Sequence, residues 1–540
     1  MADRDPLTAT TLTEMMRRRA ALTPDQQYFH LYGEVVTYGR LWEQSGRYAA
    51  GLARAGVREN DKVALIYPTC AEFFFTFFGA MRLGAVPVPL YPTLGVEGTA
   101  NVVRDCESVA VATIGWFRSE VDRSVAMAPD VRSILEPPDL DVDDRAPALV
   151  SRRDSDLAFI QYTSGSTGHP RGVVLGHDNV VPTLHFMGEA AGLTAEDRIV
   201  SWLPLYHDMG LIGCAFTPPL TAAPLWLLPP DLRNPRQWLQ LITEIRATFT
   251  VSPDFGYRNC VRHVRDTSDL DLTSLRGALS GAEPVRPSTI EAFERHFGVK
   301  NLILPCYGLA EATLAVAIWP RATPLKLDPS GRFLSVGPPC RGVSVRITTP
   351  LDGDPPQPSV EMPPDVEGEI CVKSPGVMKG YYNNEPATAR VLGPDGWLRT
   401  GDLGFVDREG LLFVTGRLKD LIVLSGENVV PSDLEEVVDH VPGVRYSAAV
   451  AIDSERTGTQ RLFVVAEVRD ESAAAETAHA LARTIVARVH HARGHRPARV
   501  LLVRAGTIPK TSSGKIQRSR LAAMIEADGL RDRLISPRER

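Results

Sequence analysis

The sequence predicts an α/β fold: a large N-terminal domain of parallel βαβ sheets, a small β unit after it, and a smaller α+β domain at the C-terminus. Three observations predict it. Buried-strand patterns alternate with helical ones through the first 320 residues, short Gly- and Pro-punctuated segments follow, and the charge balance shifts near residue 420. At roughly 150 residues per domain, 540 residues give three or four folding units.

DKVALIYP (61–68) reads as a buried strand, EFFFTFFGAMRLG (72–84) as a helix ending at Gly84, and AVPVPLYP (85–92) as the next strand. This βαβ rhythm implies parallel sheet covered by helices. DRIVSWLPL (197–205) and LRGALSGA (275–282) read as further strands, the second followed by the helical EPVRPSTIEAFERHFG and then by LPCYG (304–308). Beyond residue 320, SVRITT, GEICVKS and LLFVTGRL are brief alternating segments of antiparallel type, with a proline-rich acidic loop at 350–368 between the first two. Residues 420–540 carry 18 Lys/Arg against 16 Asp/Glu, and residues 481–520 hold ten basic side chains and no acidic one. Such a run is either a solvated face or a surface that meets polyphosphate or a phosphopantetheine carrier.

Composition narrows the function. Hydrophobic residues at 44% and charged residues at 23% are globular values, and a net charge of −6 argues against a dedicated nucleic-acid binder. The most apolar stretch, 71–90, is interrupted by Glu72, Arg82 and two prolines, so it is expected to be a buried helix and strand, with no stable membrane insertion. Seven scattered cysteines without a CxxC pair, and no secretory h-region in the first twenty residues, give the expectation of a reducing, cytoplasmic setting.

The chemistry concentrates at LAFIQYTSGSTGHPRGVVL (157–175). A buried strand runs into Thr163, Ser164, Gly165, Ser166, Thr167 and Gly168, then Pro170 and Arg171. Glycines without Cβ let backbone N–H groups crowd around phosphate oxygens, hydroxyls add donors, and Arg171 adds a charged fork. The Walker A pattern is not matched.

YTSGSTGHPRGV resembles the signature of the acyl-adenylate-forming superfamily. GAEPV (281–285), YGLAEAT (307–313), WLRTGD (397–402), GRLKDLIVLSGENVVPSDLE (416–435) and IPKTSSGKIQR (508–518) follow in the family's order, covering the chain from about residue 30 to 525. The wording of PVPLYP, WLPLYHDMGLIG (202–213), SPDFGYRNC (252–260) and YGLAEATLAV is closest to fatty acyl-AMP ligases. Two departures stand out. Those ligases carry an inserted segment between YGLAEAT and the following β unit, whereas 22 residues separate Thr313 from Val336 here, so the insertion is short or missing. SGENVVP is closer to acyl-CoA synthetases.

The resemblance implies two domains, 1–418 with the ATP and acyl pockets and a mobile 419–540 carrying the lysine loop. It implies ATP and Mg²⁺, a carboxylic acid substrate, and a phosphopantetheine thiol on an acyl carrier protein or CoA. A carboxylate attacks the α-phosphorus, and a thiol then takes the acyl group from AMP. In this scheme Lys515 bridges carboxylate and α-phosphate, and Glu311 and Thr167 hold Mg²⁺. Gly281, Ala282, Glu283, Tyr307, Gly308 and Leu309 line the adenine, Asp402 binds the ribose with Arg417 beside it, and Lys419 is the hinge. His207 gates an acyl pocket walled by Asp208, Met209, Gly210 and Leu211. A His207–Asp208 catalytic relay is rejected on the expectation that neighbours on a strand face opposite ways. The alternatives are an acyl-CoA synthetase and a relative that handles acyl-AMP in one half-reaction only.

Overall fold

The computed structural model describes residues 5–163, 170–231, 233–350, 359–424, 427–454, 459–510 and 516–535. Their contacts divide into two compact units. The first comprises residues up to 163, 170–400 and 405–414; the second comprises 401–404 and the chain from 415 onward.

An eight-stranded sheet dominates the first unit, in the order Leu314–Ile318, Ile303–Leu309, Gly277–Ser280, Phe249–Ser252, Ile199–Ser201, Leu225–Leu227, Gln27–Leu31, Glu34–Thr37. Its interior pairings are parallel and its two edges close antiparallel. A four-stranded sheet of Val86–Pro89, Lys62–Ile66, Ser108–Thr113 and Ser133–Leu135 is parallel throughout. The expected βαβ unit is therefore present, with helix Ala71–Arg82 between its strands. That helix is apolar nearly all round, and the core explains why. Phe74 stacks on Phe29 at 4.5 Å, and Phe77 meets Phe159 and Phe216 at 5.8 and 5.3 Å. Gly84 then turns the chain at φ +71, where glycine carries no Cβ penalty. No described helix is long and apolar enough to cross a membrane.

Two boundaries differ from the sequence expectation. The helix expected from Glu283 begins at Pro287, because proline suits the first helical turn while holding Arg286 before it extended. The strand expected over 197–205 is confined to Ile199–Ser201, and the chain then turns through Pro204, whose carbonyl accepts from His207 N.

The small β unit is a five-stranded sheet ordered Ser335–Gly337, Leu412–Arg417, Leu398–Val406, Gly368–Lys373, Ser344–Thr348. The crossing from Leu314–Ile318 to Ser335–Gly337, where the branch-specific insertion would fall, is compact. Asp328 pins it by accepting from the backbone N–H groups of Ser330, Arg332 and Phe333.

In the second unit, strands Val444–Ser454, Thr459–Val468 and Arg499–Val503 form a sheet with one antiparallel and one parallel pairing. Helix Glu471–Arg493 buries Ile485 and Val489 with Leu462, Val464 and Leu502; helix Arg518–Glu526 buries Leu521 with Phe463, Val465 and Leu501. Because alternate strand residues face opposite ways, the two helices cover opposite faces. All seven cysteines are free.

Candidate active site

Parallel strands deliver their C-terminal ends to one edge, which is where open α/β sheets bind ligands. Strands Ile199–Ser201, Phe249–Ser252, Gly277–Ser280 and Ile303–Leu309 are parallel neighbours. Immediately beyond their ends come the segment leading to His207, then Asp254, Gly281–Glu283 and Glu311. Two of the sequence-predicted segments, GAEPV and YGLAEAT, thus lie on adjacent strands.

Backbone geometry at these segments is unusual. Ala282, Thr313 and Leu314 have φ of +65, +58 and +107, conformations that cost non-glycine residues energy and cluster at functional sites. Gly308 is required by close approach: a Cβ there would lie 1.4 Å from the Leu314 carbonyl oxygen. Strand Ile303–Leu309 carries Tyr307, Gly308 and Leu309, and the chain folds back through Ala310–Ala312 to pair Leu309 with Leu314.

Glu311 is held on both sides. Its backbone carbonyl accepts from Met378 N at 2.8 Å, and its Oε1 accepts from the Tyr381 hydroxyl at 2.8 Å. Burial, then the Glu311 carboxylate, push the Tyr381 phenol above its ordinary range, so it stays a donor. The Arg171 guanidinium lies 5.2 Å from the Tyr381 ring centroid, within cation–π reach. Arg171 opens strand Arg171–Gly176 and is in register with Thr163, the last residue of Leu157–Thr163. The hairpin ends of the phosphate-loop motif are therefore tied through one tyrosine to the acidic residue of YGLAEAT. Ser164, Gly165, Ser166, Thr167 and Gly168 lie outside the described residues.

Sequence reasoning missed Tyr381. It sits 70 residues from Glu311, and only the pairing of Gly380–Tyr381 with Arg171–Gly176 brings it there. The carboxylate of Glu311 is a hard oxygen donor of the kind Mg²⁺ takes alongside phosphate and water. Among the described residues no group of three or more His, Cys, Asp or Glu is placed to hold an ion.

Glu283 turns to a different partner. Its Oε1 accepts from Phe255 N at 2.5 Å, at the N-terminus of helix Asp254–His263. Asp254 in turn accepts from Arg286 N and Thr289 Oγ1, at the N-terminus of helix Pro287–Phe297. Each carboxylate thus caps a helix N-terminus across the GAEPV turn, with Arg258 Nε 3.0 Å from Asp254. Burial raises both carboxyl groups, and Arg258 opposes it.

His207 and Asp208 do not lie on a strand, so the geometric reason for rejecting their pairing is corrected. They occupy a turn leading into a wide π-helical segment, Met209–Ala215, and His207 Nδ1 is 2.6 Å from Asp208 Oδ1. Asp208 also accepts from Met209 N at 2.7 Å. Met209, Gly210 and Leu211 are buried, and a Cβ on Gly210 would fall 2.3 Å from the Pro204 carbonyl oxygen.

Within the second unit, Asp402 is buried and accepts from Arg417 Nε at 2.6 Å. Lys419 sits in the single turn Leu418–Asp420. Lys515 lies outside the described residues, but both sides of its loop are fixed. Lys510 bridges to Ile516, and Gln517 N donates to the Pro509 carbonyl at 2.9 Å. Arg518 then donates to Asp420 and to both oxygens of Glu435.

A family model described as AMP-binding enzyme matches residues 16–382. The long-chain-fatty-acid–AMP ligase FadD26 of Mycobacterium marinum is 32% identical over 580 aligned positions, covering 97% of this chain and 98% of that one. The medium-chain-fatty-acid–[acyl-carrier-protein] ligase JamA of Moorena producens is 32% identical over 90% of this chain and 88% of its own. A solved structure from work on the fatty acyl-adenylate ligases of E. coli and L. pneumophila superposes with a TM-score of 0.87 at 28% identity, covering 97% of this chain and 99% of that one. The 580 positions aligned with FadD26 exceed the 540 residues here by 40, so at least that many have no counterpart in this chain.

Proposed function

Because this chain belongs to the AMP-binding enzyme family, we propose that it activates a fatty or polyketide-like carboxylic acid with ATP and passes the acyl group to the phosphopantetheine thiol of an acyl carrier protein. The observation that supports this most is the linkage of Thr163 and Arg171 through Tyr381 to Glu311, beside the GAEPV turn on the neighbouring strand. The strand ends that flank the phosphate-loop motif are joined to Glu311 by direct contacts, and the GAEPV turn follows the neighbouring parallel strand.

In the first step a carboxylate oxygen attacks the α-phosphorus, the bond from that phosphorus to the bridging oxygen breaks, and pyrophosphate leaves. An anion approaches a polyanion, so the work is electrostatic stabilisation and positioning. The loop 163–168 and Arg171 hold the phosphates. Tyr307 offers a ring to adenine, with Gly281, Ala282, Gly308 and Leu309 allowing its approach and Glu283 fixing the turn. Asp402, oriented by Arg417, accepts from the ribose hydroxyls. Mg²⁺, held by Glu311 and Thr167, would neutralise charge on the phosphates. Lys515 bridges the carboxylate and the α-phosphate.

In the second step the thiol sulfur attacks the acyl carbon, the bond from that carbon to the AMP oxygen breaks, and the thiol proton passes to solvent. Lys419 is the hinge between the two steps. His207, orientated by Asp208, gates an acyl pocket walled by Met209, Gly210 and Leu211. Seven free cysteines suit a cytoplasmic setting.

A second reading, ligation to free CoA, is favoured by two observations: the compact 22-residue crossing after Thr313, and the 40 surplus positions in the FadD26 alignment. Competition between free CoA and a phosphopantetheinylated carrier for preformed acyl-AMP, at two salt concentrations, separates the readings. Carrier loading that weakens with salt supports the first; efficient, salt-insensitive acyl-CoA formation without carrier loading replaces it with the second.

A further inference from the structure

Charge is segregated along the second unit. Between Glu476 and Glu526 there is no carboxylate side chain, while ten Lys and Arg fall in 481–520. Arg518 is spent on Asp420 and Glu435, Arg504 faces Glu471 at 3.4 Å, and Lys510 lies over the Tyr446 ring. Arg483, Arg488, Arg493 and Arg496 make no ion pair among the described residues. Arg493 Nε is buried without a hydrogen-bond partner there.

Three of these arginines, Arg483, Arg488 and Arg496, are exposed along the helix and its exit loop. Helix Glu471–Arg493 turns Ile485 and Val489 inward; at 100° per residue Arg483, His490 and His491 lie on its far side and Arg488 on its flank, and all four are exposed. The exit loop adds exposed Arg496. The helix dipole accounts for bases in the last turn, but Arg483 stands ten residues before the end of the helix, well outside it.

The chemistry of this face selects among polyanions. No Phe, Tyr or Trp follows Phe463 in the sequence, so there is no stacking platform for single-stranded nucleic acid. Among the described residues, none of the large exposed hydrophobic side chains comes from 464–535, so this face offers no apolar anchor to a bilayer interior. What remains is a polar, arginine-rich face matched to carboxylates on a folded partner. Resting on the carrier-loading reading above, we infer that the outer face of helix Glu471–Arg493 with its exit loop docks an acidic surface of the carrier protein.

The test uses the full-length enzyme, a strongly acidic phosphopantetheinylated acyl carrier protein, and the triple variant Arg483→Glu/Arg488→Glu/Arg496→Glu. All three positions are exposed, and none belongs to the proposed chemistry. At about 0.05 M salt the variant is expected to lose roughly tenfold or more in kcat/KM for carrier loading, converging on the wild type near 0.5 M, where screening acts within a few ångströms. Acid-dependent pyrophosphate exchange should be unchanged, and a poly-glutamate peptide should inhibit wild-type loading only. Equal loading by both proteins at low salt overturns the docking surface while leaving carrier loading standing. Loss of pyrophosphate exchange in proportion to loading also overturns it, since the arginines would then act before docking. So does tighter, arginine-dependent binding to polyuridylate or to phosphatidylserine vesicles than to the carrier. A wild-type enzyme that exchanges pyrophosphate but loads no carrier at any salt refutes the carrier reading itself, and the surface with it.

Discussion

The Tyr381 hydroxyl donates a 2.8 Å hydrogen bond to Oε1 of Glu311, across 70 residues of chain. The same ring carries the Arg171 guanidinium at 5.2 Å. One side chain therefore sets the orientation of the acidic residue proposed to face the metal and supports the base at the root of the phosphate loop.

Tyr381→Phe removes only the hydroxyl. A hydrogen bond to a charged group is worth roughly 1.5–3 kcal/mol, so KM for Mg·ATP in pyrophosphate exchange should rise about tenfold or more, with little change in thermal stability. An unchanged KM would show that Glu311 needs no such orientation.

Asp402→Ala should weaken ATP binding by a similar factor. Its carboxylate is buried against Arg417 and is the group proposed to accept from the ribose hydroxyls. Comparing ATP with 2′-deoxy-ATP on wild type and variant isolates the ribose contribution. Equal discrimination in the two proteins would remove Asp402 from the ribose.

His177 provides a pH test that is independent of chemistry. Its ring is buried, its Nδ1 accepts from Leu12 N at 3.3 Å at the start of helix Leu12–Leu22, and burial pushes its pKa down from 6.5 to about 4. Protonation between those values favours the unfolded chain. Stability should be fully present above pH 6.5 and fall by about 3 kcal/mol on acidification to pH 4. His177→Asn keeps an acceptor but does not titrate, so urea melts of that variant should show a shallower slope across this window. Identical slopes would contradict the assignment.

Lys515→Ala should abolish acyl-adenylate formation while sparing thioester formation from supplied acyl-AMP, because the lysine is proposed to stabilise charge in the first step alone. Equal loss of both half-reactions, assayed separately, would assign the loop a different role.

Much of this was legible in the sequence, for identifiable reasons. The βαβ rhythm around Ala71–Arg82 is written in uninterrupted apolar runs, and the motif residues Thr163, Arg171, Glu311 and Asp402 sit in local strings that name themselves. What was not legible depends on pairing between distant segments. Tyr381 reaches Glu311 through a strand of two residues, too short to leave a periodic signal. Glu283 looked like a nucleotide-side residue because its string does; that it caps Phe255 N follows only from the packing of two helix starts. The apolar WLPL predicts extended chain running into His207 and Asp208, whereas Pro204 ends extended structure and lets the two side chains meet.

The most direct measurement is acid-dependent exchange of labelled pyrophosphate into ATP by the purified full-length protein, across carboxylic acids of graded chain length. Exchange is expected to require a fatty or polyketide-like acid and Mg²⁺ and to disappear in Lys515→Ala. Exchange with no acid on the panel, or exchange undiminished in Lys515→Ala, would contradict the proposed function.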